Sequence, residues 1–226
     1  MGKSSISRKI SNKRHITENT SSKTFSDGMN MFELGFKRIF DVISSLTACI
    51  ILFPTLLVIV LFIWMEDGRP VLFLQERIGK DGKPFTIYKF RTMVKDAEKF
   101  GPELCHSCKM DKRLTKIGGF LRAHHLDELP QLWNVIKGDM SLVGYRPERQ
   151  FFIDQIIRKD ARYILLYKTT PGLTSLSTVY NGYTDSIEKM CVRLEWDLWY
   201  IGNRTLWMDL QLIILTFLKI IRGKKI

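Results

Sequence analysis

No charged residue interrupts the hydrophobic run from Val42 to Trp64. As one helix, such a run reaches across the roughly 30 Å of a bilayer's hydrocarbon layer. Two features change that first reading. Pro54 lies near its middle, and both flanks are basic: Lys37 and Arg38 come before it, and Arg69, Arg77, Lys80 and Lys83 after it. Short Lys- and Arg-rich flanks stay on the cytoplasmic side, and a single crossing cannot put both there. The pattern therefore predicts a re-entrant helix-break-helix over residues 32–66. Each arm has about ten residues, or about 16 Å of helix, and enters one leaflet only. A proline-kinked spanning helix is the competing reading. A cleaved leader is not expected, because the run starts far from Met1 and no small-residue cleavage site precedes Glu66.

Before this run, residues 1–31 are rich in Ser, Thr, Asn and Lys without apolar periodicity, which predicts a disordered basic tail. After it, residues 67–226 alternate short elements. Val71–Gln75 and Phe85–Phe90 are apolar-rich and flank Gly79-Lys80-Asp81-Gly82-Lys83-Pro84, a hairpin signal. Short helices are predicted over Met93–Phe100 and Leu114–Arg122, and longer ones over Phe151–Tyr167 and Glu188–Tyr200. A mobile irregular stretch is expected from Pro171 to Thr184. The last run, Leu206–Ile221, has a broad apolar stripe with Trp207 at one end and Arg222, Lys224 and Lys225 at the other. That polarity predicts a helix lying in the headgroup layer, with a core helix as the alternative. The fold class expected is α+β: a small, mostly helical domain with one β-hairpin, a re-entrant membrane element and interfacial amphipathic helices.

Leu126-Asp127-Glu128-Leu129-Pro130-Gln131-Leu132-Trp133-Asn134 places two adjacent carboxylates at a helix start. Proline is comfortable in a first turn, Leu129, Leu132, Trp133 and Ile136 recur at helical spacing, and Gly138 can end the run. Asp127 is the expected N-cap, where free amides keep a carboxylate ionised. Read alone, the pair is ordinary capping chemistry. The formal charge of +12 requires an anionic partner: nucleic acid, a phosphorylated substrate or an acidic membrane. Arg91, Arg122 and Arg146 offer forked donors for phosphate, each in a compact segment with glycine and polar residues. Cys105 and Cys108 form a C-x-x-C pair, half of a zinc site, without a second pair at suitable spacing.

These segments jointly resemble the bacterial sugar transferase family, the monotopic phosphoglycosyl transferases. The matching string runs from Lys37-Arg38 and Asp41 through Gln75–Gly79, Lys89–Met93, Leu126–Asn134, Lys137–Gly144, Arg146-Pro147 and Pro171-Gly172-Leu173-Thr174 to Trp207 and Asp209. The length resembles that of the minimal catalytic members. The resemblance implies transfer of a phospho-sugar from a UDP-sugar donor to polyprenyl (undecaprenyl) phosphate with release of UMP. This step starts lipid-linked glycan assembly at the cytoplasmic face of the bacterial inner membrane. It implies Asp127 as a nucleophile that forms a covalent phospho-sugar intermediate, and Glu128 as a ligand of Mg2+. By the same resemblance, Lys89, Arg91, Arg122 and Arg146 bind phosphate or nucleotide, while Lys37, Arg38, Asp41 and Pro54 belong to the membrane hairpin. A homo-oligomer is compatible with it.

Five residues depart from the family pattern: Phe53, His124, His125, Tyr145 and Ser175, the last two expected near the nucleotide or sugar pocket. A basic scaffold or nucleic-acid-binding protein is the alternative class. Its basic residues would gather on one face with aromatic platforms, whereas here they interleave with Gly, Pro and acids, so no nucleic acid is expected.

Overall fold

A computed structural model describes residues 25–221, except 98, 100, 102–110 and 182–183. Its first element, α1, spans Met31–Asp67, 37 residues. Asn30 and Glu33 start it with a reciprocal capping box: each side chain accepts from the other's backbone N–H at 2.9 Å. Gly68 ends it at φ 67°, a conformation natural to glycine. The helix runs unbroken through Pro54. This corrects the expected break into two helices. Proline removes one hydrogen bond, but the flanking turns keep theirs and remain helical.

The expected disordered tail lies, for residues 1–24, outside the described residues. From Phe25 on it is docked. Asp27 pairs with Arg204, whose Nε is 2.8 Å from Oδ1; Gly28 N–H donates to the Ile201 carbonyl at 2.9 Å, and Met29 is buried. The lack of apolar periodicity gave no sign of this, because one ion pair and two small contacts hold the segment.

The hairpin forms as expected from β1 (Leu72–Ile78) and β2 (Pro84–Phe90), antiparallel with Gln75 opposite Ile87. In place of a helix over Met93–Phe100, Met93 bridges to Leu114 and 95–97 form a turn. Helix α2 (Lys116–Ala123) begins at Thr115, whose hydroxyl accepts from Gly118 N at 2.9 Å. Glycine is required there, since a Cβ on Gly118 would come within 2.0 Å of the Thr92 carbonyl oxygen.

A 3-10 turn over Leu126–Gln131 then leads directly into α3, Leu132–Lys137. Gly138 ends that run at φ 97°, as its position predicted. Two strands were not anticipated. β3 (Ser141–Val143) and β4 (Gly172–Thr174) pair in parallel, so closely that a Cβ on Gly172 would meet Gly144 N at 2.0 Å. The stretch expected to be irregular from Pro171 thus contains β4 and also α5 (Leu176–Asn181).

The single helix expected over Phe151–Tyr167 is two elements. Helix α4 covers Gln150–Lys159, and a 3-10 segment covers Ala161–Lys168. The break is at Asp160, which adopts extended dihedrals and accepts from Arg162 N. Helices α6 (Ile187–Asn203) and α7 (Leu206–Ile221) complete the fold.

The main core joins α4, the following 3-10 segment, α5, α6 and α7 through Ile153, Ile156, Leu166, Leu176, Leu194, Tyr200, Ile201 and Leu212. A second cluster holds Ile59 and Ile63 of α1 against Phe90 and Leu121. A third places Val135 beside Ile87 and Met140, which seats α3 on the hairpin. The class is therefore mostly helical with a short antiparallel sheet and one long apolar N-terminal helix. Helix α7 serves the core with Leu212 and Asp209, while Trp207, Ile214 and Phe217 are exposed on it.

Candidate active site

Asp127 and Glu128 sit in the first turn of the 3-10 segment and not at an α-helix N-cap. The residue before it, His125, has φ 54° and ψ 21°. This left-handed residue turns the chain sharply out of α2, a conformation that costs energy in any non-glycine residue. The correction follows from packing. Lys89 of β2 bonds to Glu128, and Ile87 of the same strand packs with Val135 of α3, so the tighter turn lies against the hairpin.

Three cations converge on the pair from separate elements. Lys89 Nζ donates to Glu128 Oε1 at 2.7 Å from β2. Arg146 Nη2 donates to the same oxygen at 3.1 Å, from the loop after β3. Arg122, in the last turn of α2, adds a favourable charge toward Asp127 and is steadied by its Nε bond to Thr92 Oγ1 at 2.9 Å.

The two carboxyls respond in opposite directions. Burial works against the charge on Glu128, but Lys89 and Arg146 outweigh it and hold this acid well below the usual range. Asp127 is nearly closed off from solvent and forms no hydrogen bond with a described residue. Burial, reinforced by the adjacent Glu128 charge, raises it above the ordinary carboxylate value against the pull of Lys89 and Arg122. Burial likewise lowers His125, against the attraction of both acids. The site therefore holds one carboxylate locked in ion pairs beside another that burial pushes toward its protonated form.

Arg91 is placed elsewhere. Its Nη2 donates to the Asp67 and Gly68 carbonyls at 2.8 and 3.0 Å and lies 2.9 Å from Asp67 Oδ2. It seals the C-terminal end of α1 and is not among the cations gathered at the carboxylates. The Lys89–Met93 motif thus divides its labour: Lys89 serves the carboxylates, Arg91 the end of α1, and Thr92 the seat of α2.

Lys37, Arg38 and Asp41 lie on the side of α1 facing the domain. Buried Lys37 bonds to Asp209 Oδ2 at 2.6 Å and lies 3.8 Å from Asp41. Tyr200 Oη donates to Asp209 at 2.5 Å, and Ser141 Oγ donates to Asp41 at 2.6 Å. Tyr145 and Ser175 do not line an open pocket. Tyr145 is fully enclosed in the main core, and Ser175 accepts from Thr178 N at 2.9 Å to start α5. Cys105 and Cys108 lie outside the described residues.

Other residues of the site were not singled out in the sequence. Asn134, fully buried, accepts from Tyr88 N at 3.1 Å and donates to the Thr86 carbonyl at 2.7 Å. It stands in for a strand partner along the edge of β2, one residue from Lys89. Glu148 is gripped by Arg193 at 2.6 Å and Arg77 at 3.2 Å, which fixes the segment after Arg146. Asp197, pushed up to about 7 by burial, accepts from Ser177 Oγ at 2.7 Å and from the backbone N–H of Arg146. Its place directly after Arg146-Pro147 was the one available hint to Glu148.

Among the described residues, no group of three or more His, Cys, Asp or Glu side chains gathers to hold a metal. Magnesium needs fewer, since one or two carboxylates suffice when phosphates and water complete its shell. Asp127 and Glu128 fit that habit: both are hard oxygen donors, and Glu128 spends only Oε1 on its ion pairs.

A sequence model of the bacterial sugar transferase family matches residues 32–223. The chain belongs to that family. It is similar to the UDP-N-acetylgalactosamine-undecaprenyl-phosphate N-acetylgalactosaminephosphotransferase of Aeromonas hydrophila, 36% identical over 187 residues, 83% of this chain and 44% of that protein. It is also 40% identical over 197 residues to the UDP-glucose:undecaprenyl-phosphate glucose-1-phosphate transferase of Klebsiella pneumoniae, covering 86% of this chain and 42% of that protein. A protein with the same activity name from Caulobacter vibrioides is 40% identical over 182 residues, 80% of this chain and 67% of that protein. The chain thus spans less than half the length of the first two.

The opposed shifts make a stability prediction. The native state of Asp127 favours the proton, so stability falls as pH rises from the ordinary Asp value through the raised native one. Asp127→Asn removes that penalty and is expected to raise Tm at pH 7. Glu128 is the reverse: its depressed native value contributes stability above the ordinary Glu range, lost as pH falls toward the native one. Glu128→Gln is expected to lower Tm at pH 7, by a margin that starts to shrink only as pH falls below the ordinary Glu range. Scanning fluorimetry of both variants across pH checks the two signs.

Proposed function

We propose that this chain transfers a phospho-sugar from a UDP-sugar to a polyprenyl phosphate, with Asp127 as the nucleophile. The observation that carries the reading is the convergence of Lys89, Arg122 and Arg146 on a nearly enclosed carboxylate pair in a member of this family. The printed activities of the relatives, all sugar-phosphate transfers to undecaprenyl phosphate, support the reaction type. Those names include different sugars, so the donor sugar stays open.

An Oδ of Asp127 attacks the phosphorus that bears the sugar. The bond from that phosphorus to the bridging oxygen breaks, and UMP leaves with the electron pair. A phosphate oxygen of the polyprenyl acceptor then attacks the same phosphorus. The acyl-phosphate bond breaks, the carboxylate is restored and the lipid diphosphosugar departs. Asp127 suits this role because burial leaves it poorly solvated, hence reactive. Arg122 and Arg146 offer forked donors to the diphosphate oxygens, and Lys89 fixes Glu128 beside them. Magnesium, when bound, would be held by Glu128 and offset charge on the diphosphate.

Although α1 stays helical through Pro54, the contacts at its two ends support a re-entrant seat in one leaflet. Its first third docks on the domain through Lys37, Arg38 and Asp41. Its last third docks on the same domain through Ile59, Ile63, Glu66 and Asp67. Between them, Ile50, Ile51 and Phe53 are more than half exposed. Two ends held by one polar domain do not sit on opposite sides of a bilayer. The exposed Trp207, Ile214 and Phe217 of α7 fit a helix face in the headgroup layer at the cytoplasmic surface.

Two experiments test these readings. A screen of UDP-sugars with polyprenyl phosphate and Mg2+ should find a donor that releases UMP, with a ping-pong pattern of initial rates. Asp127→Asn should lose at least about 1000-fold in turnover, since an amide cannot accept the phosphoryl group. Near-parental turnover would remove Asp127 from the chemistry. For topology, single cysteines at Ser26 and Lys83 in a cysteine-free background should both resist an impermeant thiol reagent in intact cells. Labelling at position 26 alone would mean a spanning helix.

A further inference from the structure

Arg38 was read from the sequence only as a basic flank of the membrane segment. Its contacts say more. Nη1 donates to the Val135 carbonyl at 2.6 Å and Nη2 to the Ile136 carbonyl at 2.9 Å. These carbonyls belong to the last turn of α3, where backbone acceptors lack helical partners and the helix end carries partial negative charge. The guanidinium also lies over Gly138, whose ideal Cβ would be 3.3 Å from Nη2. One arginine of the membrane helix therefore closes the C-terminal end of the helical run that starts with Asp127 and Glu128.

One turn further along α1, Asp41 grips the next segment. Its Oδ2 accepts from Ser141 Oγ at 2.6 Å and its Oδ1 from Leu142 N at 3.3 Å. Those residues form β3, which leads through Gly144 and Tyr145 to Arg146. Arg38 and Asp41 thus hold the two chain segments whose far ends meet in the Arg146–Glu128 pair. They touch neither carboxylate.

We propose that Arg38 is a positioning residue for the reaction, with Asp41 as its counterpart on β3, so that the seating of α1 sets the geometry of the carboxylate site. This rests on the reading of Asp127 and Glu128 as the reacting pair. The consequence is a coupling: the site is fully assembled only when the N-terminal arm of α1 lies in its place against the domain. The membrane helix is then part of the catalytic framework as well as an anchor.

The test uses the full chain in lipid nanodiscs with Arg38→Ala, Arg38→Lys and the parent. Arg38→Ala should lower kcat at least about tenfold with the donor KM within about twofold. Arg38→Lys, which can meet one carbonyl, should recover part of the loss, and added guanidinium ion should raise kcat of the alanine variant several-fold. Vesicle flotation should show equal membrane binding for all three. Hydrogen exchange, which does not depend on turnover, should be at least about tenfold faster in Arg38→Ala across residues 126–137 and unchanged across α4. Unchanged exchange in 126–137 overturns the proposal, as does an unchanged kcat or a kcat loss that only follows lost membrane binding. A parent chain that releases no UMP from any donor would instead count against the proposed reaction, and the exchange measurement would still decide the role of Arg38.

Discussion

Two neighbouring carboxylates cannot both stay charged in a nearly closed site without cations brought to them. That constraint organises the rest of the structure. Lys89 comes from a hairpin, Arg122 from the end of α2 and Arg146 from the loop after β3. No local stretch of chain supplies all three, so the fold must bring three separate elements to one 3-10 turn, with Lys89 and Arg146 at bonding distance from Glu128 and the Arg122 charge acting on Asp127. The buried polar side chains around the site perform that holding. Asn134 bonds the turn's helix to β2, Thr92 supports Arg122, and Glu148 with Arg77 and Arg193 anchors the segment after Arg146. Asn134, Thr92, Glu148 and Arg193 are buried polar groups with partners, the condition under which such groups are tolerable in an interior.

The same reasoning explains why the membrane helix carries buried charge. Lys37, Asp41 and Asp209 form one enclosed set, completed by the Tyr200 and Ser141 hydroxyls. Removing one member of such a set leaves an uncompensated charge, at a cost of about 3–5 kcal/mol. An anchor alone would need only apolar surface. This set, with Arg38 and Arg91 at the two ends of the helix, fixes α1 at a defined height and rotation on the domain. The apolar residues between them stay exposed.

Much of this was legible in the sequence where a local rule applied. The hairpin followed from its glycine-rich turn, the end of α3 from Gly138, and the carboxylate pair from its place before Pro130. Misreadings arose where tertiary contacts overrode local pattern. Pro54 does not end α1, because an apolar helix holds its remaining backbone bonds. Asp160 splits a predicted helix because its side chain caps the next segment. Asp127 is not an N-cap, because the turn packs on β2 and tightens to 3-10 geometry. The parallel pair β3–β4 was invisible, since three-residue strands leave no periodicity to read. Arg91 was grouped with the phosphate-binding residues by residue type, whereas its neighbours in space are the carbonyls that end α1. Tyr145 and Ser175, suspected for departing from the family pattern, are interior residues with packing and capping duties.

The claim on which the account depends is that Asp127 itself carries the phospho-sugar. The direct measurement is mass spectrometry of the protein quenched within milliseconds of mixing with an accepted UDP-sugar and Mg2+, in the absence of polyprenyl phosphate. The account predicts a phospho-sugar mass on the peptide containing Asp127, together with about one equivalent of UMP per enzyme. UMP released only after polyprenyl phosphate is added, with no adduct at any time, would contradict it.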